Sequence, residues 1–166
     1  MTLEFISGAS LSYEELCENG ERAKQAAYSV ASDIVKDCRG DFEKARAIHD
    51  YIASVCEYDG EMDELSYTAL GALGYGKAVC QGYSAAFNLL CRCAGLRSLA
   101  VSNDSHMWNV VLIDGDIYHY DVTYDDGDVI SHEYCGVKDE GTFSDEAHSG
   151  FTLPKKEYFY IDGTVL

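Results

Sequence analysis

Three residues of this chain have the types and the order that nucleophilic catalysis uses. Cys80 stands where a loop gives way to a helical pattern, His106 follows 26 residues later, and Asp121 follows 15 residues after that. A thiol, an imidazole and a carboxylate can serve as nucleophile, general base and orienting group when the fold brings them together. Whether they can react depends on the elements that carry them.

The helix predicted from Val79 or Cys80 to Ala94 gives Cys80 a reason to ionise. An ordinary thiol is mostly protonated at neutral pH, and the unpaired N–H groups and the dipole of a helix N-terminus favour the thiolate. The same N–H groups, including that of Cys80, could hold a developing oxyanion. Three glycines are expected to leave this corner open to a substrate: Gly74, Gly76 and Gly82.

A predicted hairpin would bring the other two side chains together. Asp114-Gly115 is a strong signal for a two-residue turn, so residue 113 is expected to pair with residue 116. In that register His106 and Asp121 are diagonal neighbours on one face of the sheet, about 7–8 Å apart at Cα, a gap that planar or long side chains bridge. If the turn were one residue longer or shorter, the two side chains would lie on opposite faces of the sheet.

The remaining patterns predict helices first and antiparallel strands second, which is typical of an α+β domain. Apolar stripes predict helices over 23–38 and 41–57, with Gly40 ending the first and Asp41 capping the second. Capping-box spacing indicates a further helix start at 12–15. Strands are predicted at 97–102, 106–113 and 117–122, with a possible edge strand at Tyr158–Ile161. Two segments are expected to be mainly irregular: 59–78, with one short helix, and 125–150.

The composition favours a single cytoplasmic domain over residues 1–166. The start lacks a secretory signal, and no apolar run reaches the roughly 20 residues of a membrane span. The net charge is −17, so nucleic acids and anionic membranes are not expected as partners. The acidic surface could attract a basic or amine-bearing polypeptide, although a merely solubilising role is favoured.

The seven cysteines indicate reduced, mostly buried thiols, because their number is odd and their positions show no disulfide framework. Zinc at Cys91 and Cys93 is disfavoured, since residues two apart on a helix point in nearly opposite directions. Three other side chains are interpreted as ordinary histidines: His49, His119 and His132.

Three short motifs, in this order and spacing, resemble the transglutaminase-like superfamily of cysteine acyltransferases and proteases, which has a papain-like core. The motifs are Val79-Cys80-Gln81-Gly82-Tyr83, His106-Met107-Trp108-Asn109 and Asp121-Val122-Thr123. The resemblance covers about residues 40 to 150, including a helix before the core and a segment around Tyr134 to Val137 after it. It implies N-terminal helices, with the nucleophile helix packed on an antiparallel sheet.

The resemblance implies that Cys80 is the nucleophile, His106 the general base and acid, and Asp121 the group that orients His106. Trp108 corresponds to the aromatic residue behind the histidine and is expected to shape the site. The second oxyanion donor varies among members of the family; Tyr67 is the first candidate here and Tyr75 and Gln81 follow, although a packing or surface role is favoured for each. His148 is a candidate supporting residue.

No cofactor and no required metal are expected. Animal members of the family use calcium, and an acidic cluster is present here, but it lacks the full spacing of a calcium loop. The cluster consists of Asp121, Asp125, Asp126 and Asp128.

These observations imply a cysteine-dependent enzyme that acts on amide bonds of a peptide or protein through a thioester. Hydrolysis is favoured over crosslinking, because the sequence shows no additional region to hold a second protein substrate. Two alternatives remain: a catalytically inactive interaction domain on the same fold, and a metal-binding protein built on the cysteines.

Overall fold

The computed structural model describes residues 3–4, 10–11, 27–138 and 146–160. The helices are α1 at 27–35, α2 at Asp41–Val55, α3 at Cys80–Cys93 and α4 at Val122–Asp125. The strands are β1 at Leu3–Glu4, β2 at Ser10–Leu11, β3 at Glu57–Tyr58, β4 at Lys77–Ala78, β5 at Arg97–Ser102, β6 at Met107–Ile113, β7 at Asp116–Tyr120 and β8 at Cys135–Lys138. Short 3-10 turns lie at Glu64–Tyr67, Glu146–His148 and Lys156–Tyr160, and a π-helical turn lies at Gly71–Tyr75. The helix start predicted at 12–15 lies outside the described residues.

The main sheet has the order β5-β6-β7-β8, with every neighbouring pair antiparallel. The predicted hairpin register is confirmed, because Ile113 lies opposite Asp116. Asp114 and Gly115 have positive φ angles of 51° and 86°, as a two-residue hairpin of this type requires. With helices packed on an antiparallel sheet, the α+β prediction is confirmed.

Both faces of the sheet are covered, which explains why β6 is buried along nearly its whole length. On one face, Val111 and Ile113 pack in the main apolar core with the buried stripes of α2 and α3. On the other face, Trp108 and Val110 belong to a second cluster that includes Phe159 from the C-terminal 3-10 turn. Among the described residues, no helix is long and apolar enough to cross a bilayer.

Several predicted helix boundaries are displaced. Gly40, not Asp41, is the N-cap residue of α2 and it makes no side-chain cap; Asp41 is the first helical residue. A carboxylate in the first turn still complements the helix dipole. The described part of α1 ends at residue 35 rather than 38, and α2 ends at Val55, because the chain then turns extended to form β3.

Three strand predictions also differ from the structure. Strand β7 ends at Tyr120 rather than Val122, because Asp121 caps α4. Strand β8 lies in the segment expected to be irregular. Lys156–Tyr160 forms a 3-10 turn where an edge strand was predicted, since Tyr158 bonds back to Lys155 rather than to a neighbouring strand; Ile161 lies outside the described residues.

Candidate active site

Cys80 is the first residue of α3, as predicted, and the extended residue Val79 precedes it. Two polar side chains hold the start of α3 on β6. Asn109 donates its amide to the carbonyl of Ser84 at 3.1 Å, and the Ser84 hydroxyl donates to the carbonyl of Trp108 at 3.3 Å. The helix start is therefore fixed to the strand that follows His106, which brings the thiol and the imidazole together.

Gly82 has a packing role rather than the expected role of leaving space for a substrate. A Cβ on this residue would lie 2.2 Å from the carbonyl oxygen of Ser66. The Glu64–Tyr67 turn can lie against the first turn of α3 only because this position has no side chain. The backbone N–H of Val79 also donates to the Ser66 carbonyl at 2.9 Å, which fixes the same contact.

The Cys80 thiol has surroundings that favour its ionised form. A hydrogen bond with His106 lowers the pKa of the thiol, although burial opposes this effect. The backbone N–H groups of Met107 and Gln81 also point at the sulfur and lower its pKa further. An ionised sulfur beside a charged imidazole is the state in which a cysteine reacts as a nucleophile.

His106 lies between the thiol and a buried carboxylate. Its Nε2 lies 2.5 Å from Oδ2 of Asp121, which leaves Nδ1 for Cys80. Burial opposes protonation of His106, but its hydrogen bonds with Asp121 and Cys80 outweigh burial and raise its pKa to about 9. The ring stacks on Trp108 with centroids 5.7 Å apart and meets Tyr124 edge-on at 4.8 Å. The imidazole is therefore held on both sides.

Asp121 is buried and uses its two oxygens for different tasks. Oδ1 caps α4 by accepting the backbone N–H groups of Thr123 and Tyr124 at 3.0 and 3.2 Å. Oδ2 accepts from the imidazoles of His106 and His148. Burial disfavours the carboxylate, yet these two histidines outweigh burial and lower its pKa. The cap fixes the carboxylate, so its second oxygen is aimed at His106.

His148 gives Asp121 a second imidazole partner. Its Nε2 lies 2.8 Å from Oδ2 of Asp121, and the ring is fully buried against Trp108 and Tyr134. Asn103, which sequence reasoning missed, links this segment to His106. Its side-chain oxygen accepts the backbone N–H of His106 at 2.8 Å, while its amide donates to the carbonyls on either side of His148, those of residues 147 and 149.

Cys80 and His106 open onto a cleft of about 600 Å³. Its lining residues are Tyr58, Cys80, Ser105, His106, Thr123, Tyr124 and Ala147. Tyr58 and Tyr124 are each about half exposed there, at 52% and 49%. The sequence did not indicate either tyrosine, because neither belongs to a recognisable motif. Each reaches the cleft only because of where a short strand or helix begins or ends. Tyr58 ends the two-residue strand β3, and Tyr124 lies in the single turn that Asp121 caps.

The other predicted site residues lie apart from the cleft wall. Trp108 is buried behind His106, and its indole N–H donates to Nδ1 of His119 at 3.0 Å. The side chains of Tyr67 and Gln81 do not line the cleft, and Tyr75 lines a separate cavity of about 220 Å³. An oxyanion role for these last three residues stays a prediction.

The acidic run considered for calcium does not gather its carboxylates at one point. Asp121 faces the two histidines described above, Asp125 lies 3.0 Å from Nε2 of His49, and Asp126 accepts a hydrogen bond from Tyr83. Among the described residues, two groups have donor atoms close enough together to hold a metal ion. They are His106, Asp121 and His148, and His49, Asp50 and His132.

The family model of the transglutaminase-like superfamily matches residues 28–122, a range that includes Cys80, His106 and Asp121. Kyphoscoliosis peptidase from Homo sapiens is 27% identical over 143 residues, which are 73% of this chain and 22% of that protein. The Mus musculus protein of the same name is 25% identical over 158 residues, 83% of this chain and 22% of its own length. The chain thus spans less than a quarter of the curated relatives that it matches.

Solved structures share the same fold. One is a candidate cysteine protease from Cytophaga hutchinsonii, with a TM-score of 0.52, 18% identity, and coverage of 60% of this chain and 37% of that one. Another, described as a TGase, has a TM-score of 0.52, 18% identity, and coverage of 71% of this chain and 35% of that one. These likenesses identify the α+β architecture as transglutaminase-like with a papain-like core. Since the family match also covers more than half of the sequence, the chain belongs to the transglutaminase-like superfamily.

Proposed function

We propose that the chain is a cysteine-dependent hydrolase that cleaves amide bonds of a peptide or protein through Cys80, His106 and Asp121. The observation that carries the proposal is the continuous hydrogen-bonded row from the thiol to the imidazole to the carboxylate. The reactive end of this row lies on the wall of the cleft, where a substrate can reach it.

In the first step, the Cys80 thiolate attacks the carbonyl carbon and an electron pair moves onto the oxygen. Among the first N–H groups of α3, those of Gly82 and Tyr83 donate to the Val79 carbonyl, so the N–H of Cys80 is the one expected to stabilise this negative charge. His106, which holds the proton from Cys80, protonates the nitrogen as the C–N bond breaks. The amine leaves and a thioester remains on Cys80. Asp121 keeps the imidazole oriented and stabilises its charged form.

In the second step, a water molecule attacks the thioester carbon while neutral His106 takes a proton from it. The C–S bond breaks, the carboxylic acid leaves, and the thiolate–imidazolium pair is restored. A lysine amine in place of water would give a crosslink. We favour water, because the described residues that line the cleft include no carboxylate that could bind the amino group of an acceptor lysine and take up its proton.

The substrate class follows from the chemistry of the cleft. Its lining combines two tyrosine rings with the hydroxyls of Ser105 and Thr123, which suits an extended, uncharged stretch of polypeptide. A preference for basic or amine-bearing substrates, suggested by the net charge of −17, would have to come from acidic residues outside the cleft lining.

A peptide-library experiment tests the proposal. The protein and its Cys80→Ala variant are incubated with proteome-derived peptides, with and without an added biotinylated alkylamine, and products are identified by mass spectrometry. We expect new carboxylic acid ends, or deamidated glutamine, only with intact Cys80. Products that form equally with the variant would refute the role of Cys80. Amine adducts in excess of hydrolysis products would indicate acyl transfer instead.

The same experiment addresses the inactive interaction domain. An inactive domain would give no Cys80-dependent product and would still bind a partner through the cleft. Retention of specific peptides without turnover, equal for the intact protein and Cys80→Ala, would favour that function over hydrolysis.

A further inference from the structure

A second cluster of metal-binding side chains lies away from the cleft, between α2 and the segment that connects α4 to β8. It consists of His49 and Asp50 from α2 and His132 from the connecting segment. Nδ1 of His49 lies 3.0 Å from Oδ1 of Asp50, and Nε2 of His132 lies 2.7 Å from the same oxygen. None of the three lines the cleft beside Cys80.

The three donor atoms have the composition of a zinc-type site. All of them lie within 4.8 Å of one another, so one ion could contact all three after small side-chain rotations. Two imidazoles and one carboxylate are a ligand set that zinc and similar divalent transition metals take, with bonds of about 2.0–2.2 Å. The separations of 2.7 and 3.0 Å from Oδ1 of Asp50 are about 0.6 and 0.3 Å shorter than the roughly 3.3 Å that tetrahedral bonds of that length imply, so the side chains would have to move apart slightly to admit the ion.

A buried carboxylate behind His49 supports this interpretation. Nε2 of His49 lies 3.0 Å from Oδ2 of Asp125, and both side chains are fully buried. Asp125 is itself held by the hydroxyl of Ser131 and the backbone N–H of Tyr134. In metal sites such a carboxylate fixes the protonated nitrogen of the ligand, so that the other ring nitrogen faces the ion. Here that other nitrogen is Nδ1, which points at Asp50.

The exposure of the cluster also suits an ion that enters from solvent. His49 is buried, whereas the side chains of Asp50 and His132 are 39% and 36% exposed. A buried anchor with two exposed ligands leaves an open side, where water can complete the coordination shell. Cys135 contacts His49 as well, but it is not one of the three side chains whose donor atoms all lie within 4.8 Å of one another.

We propose that His49, Asp50 and His132 bind one divalent transition metal ion of the zinc class, which joins α2 to the segment after α4. Binding replaces the proton on Nδ1 of His49, which is released to solvent, while Asp125 retains the hydrogen bond from Nε2. The ion would be structural, since it lies outside the cleft; it would stabilise the segment that follows the Asp121-capped turn. Because a proton must be displaced, we expect a dissociation constant on the order of micromolar. The site does not depend on the proposed reaction.

Equilibrium dialysis of the chelator-treated chain against Zn²⁺, followed by metal analysis, tests the site. The intact chain is compared with His132→Ala and Asp50→Asn, which change partly exposed side chains, and with His106→Ala, which removes a ligand from the other candidate group. We expect both cluster variants to bind one zinc fewer than the intact chain and His106→Ala to bind the same number. Zinc should raise the Tm of the intact chain and of His106→Ala, but not of the cluster variants.

Three results would overturn the proposal. The intact chain could bind no zinc at micromolar concentrations, both cluster variants could bind as much zinc as the intact chain, or His106→Ala alone could lose it. The second result would place the ion on thiols elsewhere, and the third would place it beside Cys80. Comparing differences between variants removes the contribution of any zinc that free cysteines hold.

Discussion

The part of the chain that the structure describes contains two Cys–His–Asp rows with similar local chemistry and different surroundings. In one, His106 contacts Cys80 and lies 2.5 Å from Asp121; in the other, His49 contacts Cys135 and lies 3.0 Å from Asp125. Burial opposes the charged form of both histidines, and hydrogen bonds with their partners outweigh it. The pKa of His106 rises to about 9 and that of His49 to about 10.

The difference lies in the position of the thiol and in access to it. Cys80 begins a 14-residue helix on the wall of a cleft, whereas Cys135 begins a strand and, like His49, lines neither of the two cavities described above. The helix N-terminus favours the thiolate and offers N–H groups to an oxyanion, and a strand offers neither. We therefore expect only the row that contains Cys80 to form a reaction site.

Removing each thiol in turn should give the largest difference in kcat between the two rows. Cys80→Ala is expected to lower kcat for a cleaved peptide on the order of 10⁴-fold or more, since the nucleophile is lost. Cys135→Ala should leave kcat within about threefold. Steady-state kinetics on the same peptide decides, and a comparable loss in the two variants would contradict the distinction between the rows.

Conversion of each carboxylate to an amide should separate catalysis from stability. Asp121→Asn keeps a residue that can cap α4 but removes the charge that holds His106, so we expect kcat to fall on the order of 10³-fold. Asp125→Asn weakens the buried contact with His49, so the free energy of unfolding should fall by about 2 kcal/mol with kcat little changed. Urea unfolding and kinetics measure the two effects. Equal losses of kcat would mean that both rows serve the reaction.

The hairpin shows what could be predicted from the sequence. Asp114-Gly115 allows only a narrow set of turns, so the register followed from two residues. The pairing ends at Asn109 and Tyr120, and His106 and Asp121 meet just beyond it, where Asp121 caps α4 instead of continuing the strand. The start of α3 was likewise predicted, because loop residues give way there to a helical stripe. Local signals of this kind depend on neighbours in the chain and need no knowledge of tertiary contacts.

The features that were missed depend on contacts between distant segments. Strand β8 is short, lies in an acidic segment without alternation, and pairs with β7 through an irregular register. His49 and His132 were interpreted as ordinary histidines, since only the fold brings together residues so far apart in the chain. Lys156–Tyr160 has strand-like aromatic residues but buries Phe159 by a local turn, because packing overrides propensity there.

A substitution at His148 tests whether its hydrogen bond to Asp121 supports the reaction at Cys80. His148→Phe keeps a ring in the buried space but removes the donor to Asp121, so the carboxylate should be less well fixed. We expect kcat to fall about 10- to 100-fold with KM nearly unchanged and the alkaline limb of the pH–kcat profile displaced. His148→Gln, which can still donate a hydrogen bond, should recover part of kcat. A loss confined to thermal stability would reduce His148 to a packing role.

The two rows should also differ in how stability depends on pH in metal-free protein. Folding raises the pKa of His106 and lowers that of Cys80, so the two shifts oppose each other in the net proton uptake of that pair. His49 gains one from solvent beside Asp125, Asp50 and Cys135, because its pKa rises from about 6.5 in the unfolded chain to about 10. Between these values the folded chain holds the additional proton, so stability present at low pH is lost as pH rises.

The expected slope is at most about 1.4 kcal/mol per pH unit for one proton. Urea unfolding at several values between pH 6.5 and 9 would measure it. The slope should be smaller in Asp125→Asn, which removes the charge beside His49, and largely retained in Asp121→Asn. A slope that is retained in Asp125→Asn and reduced in Asp121→Asn would show that the extra proton belongs to the row that contains His106.

The pH dependence of Cys80 alkylation by iodoacetamide tests the central claim most directly, because only the thiolate reacts. Peptide mapping by mass spectrometry would follow Cys80 and Cys135 in the same sample. The hydrogen bond with His106 predicts that Cys80 reacts rapidly at pH 6, well below the ordinary thiol pKa, and that Asp121→Asn slows this reaction. If Cys80 instead reacts no faster than an ordinary thiol at pH 6 and its rate rises only near pH 9, it is not an activated nucleophile.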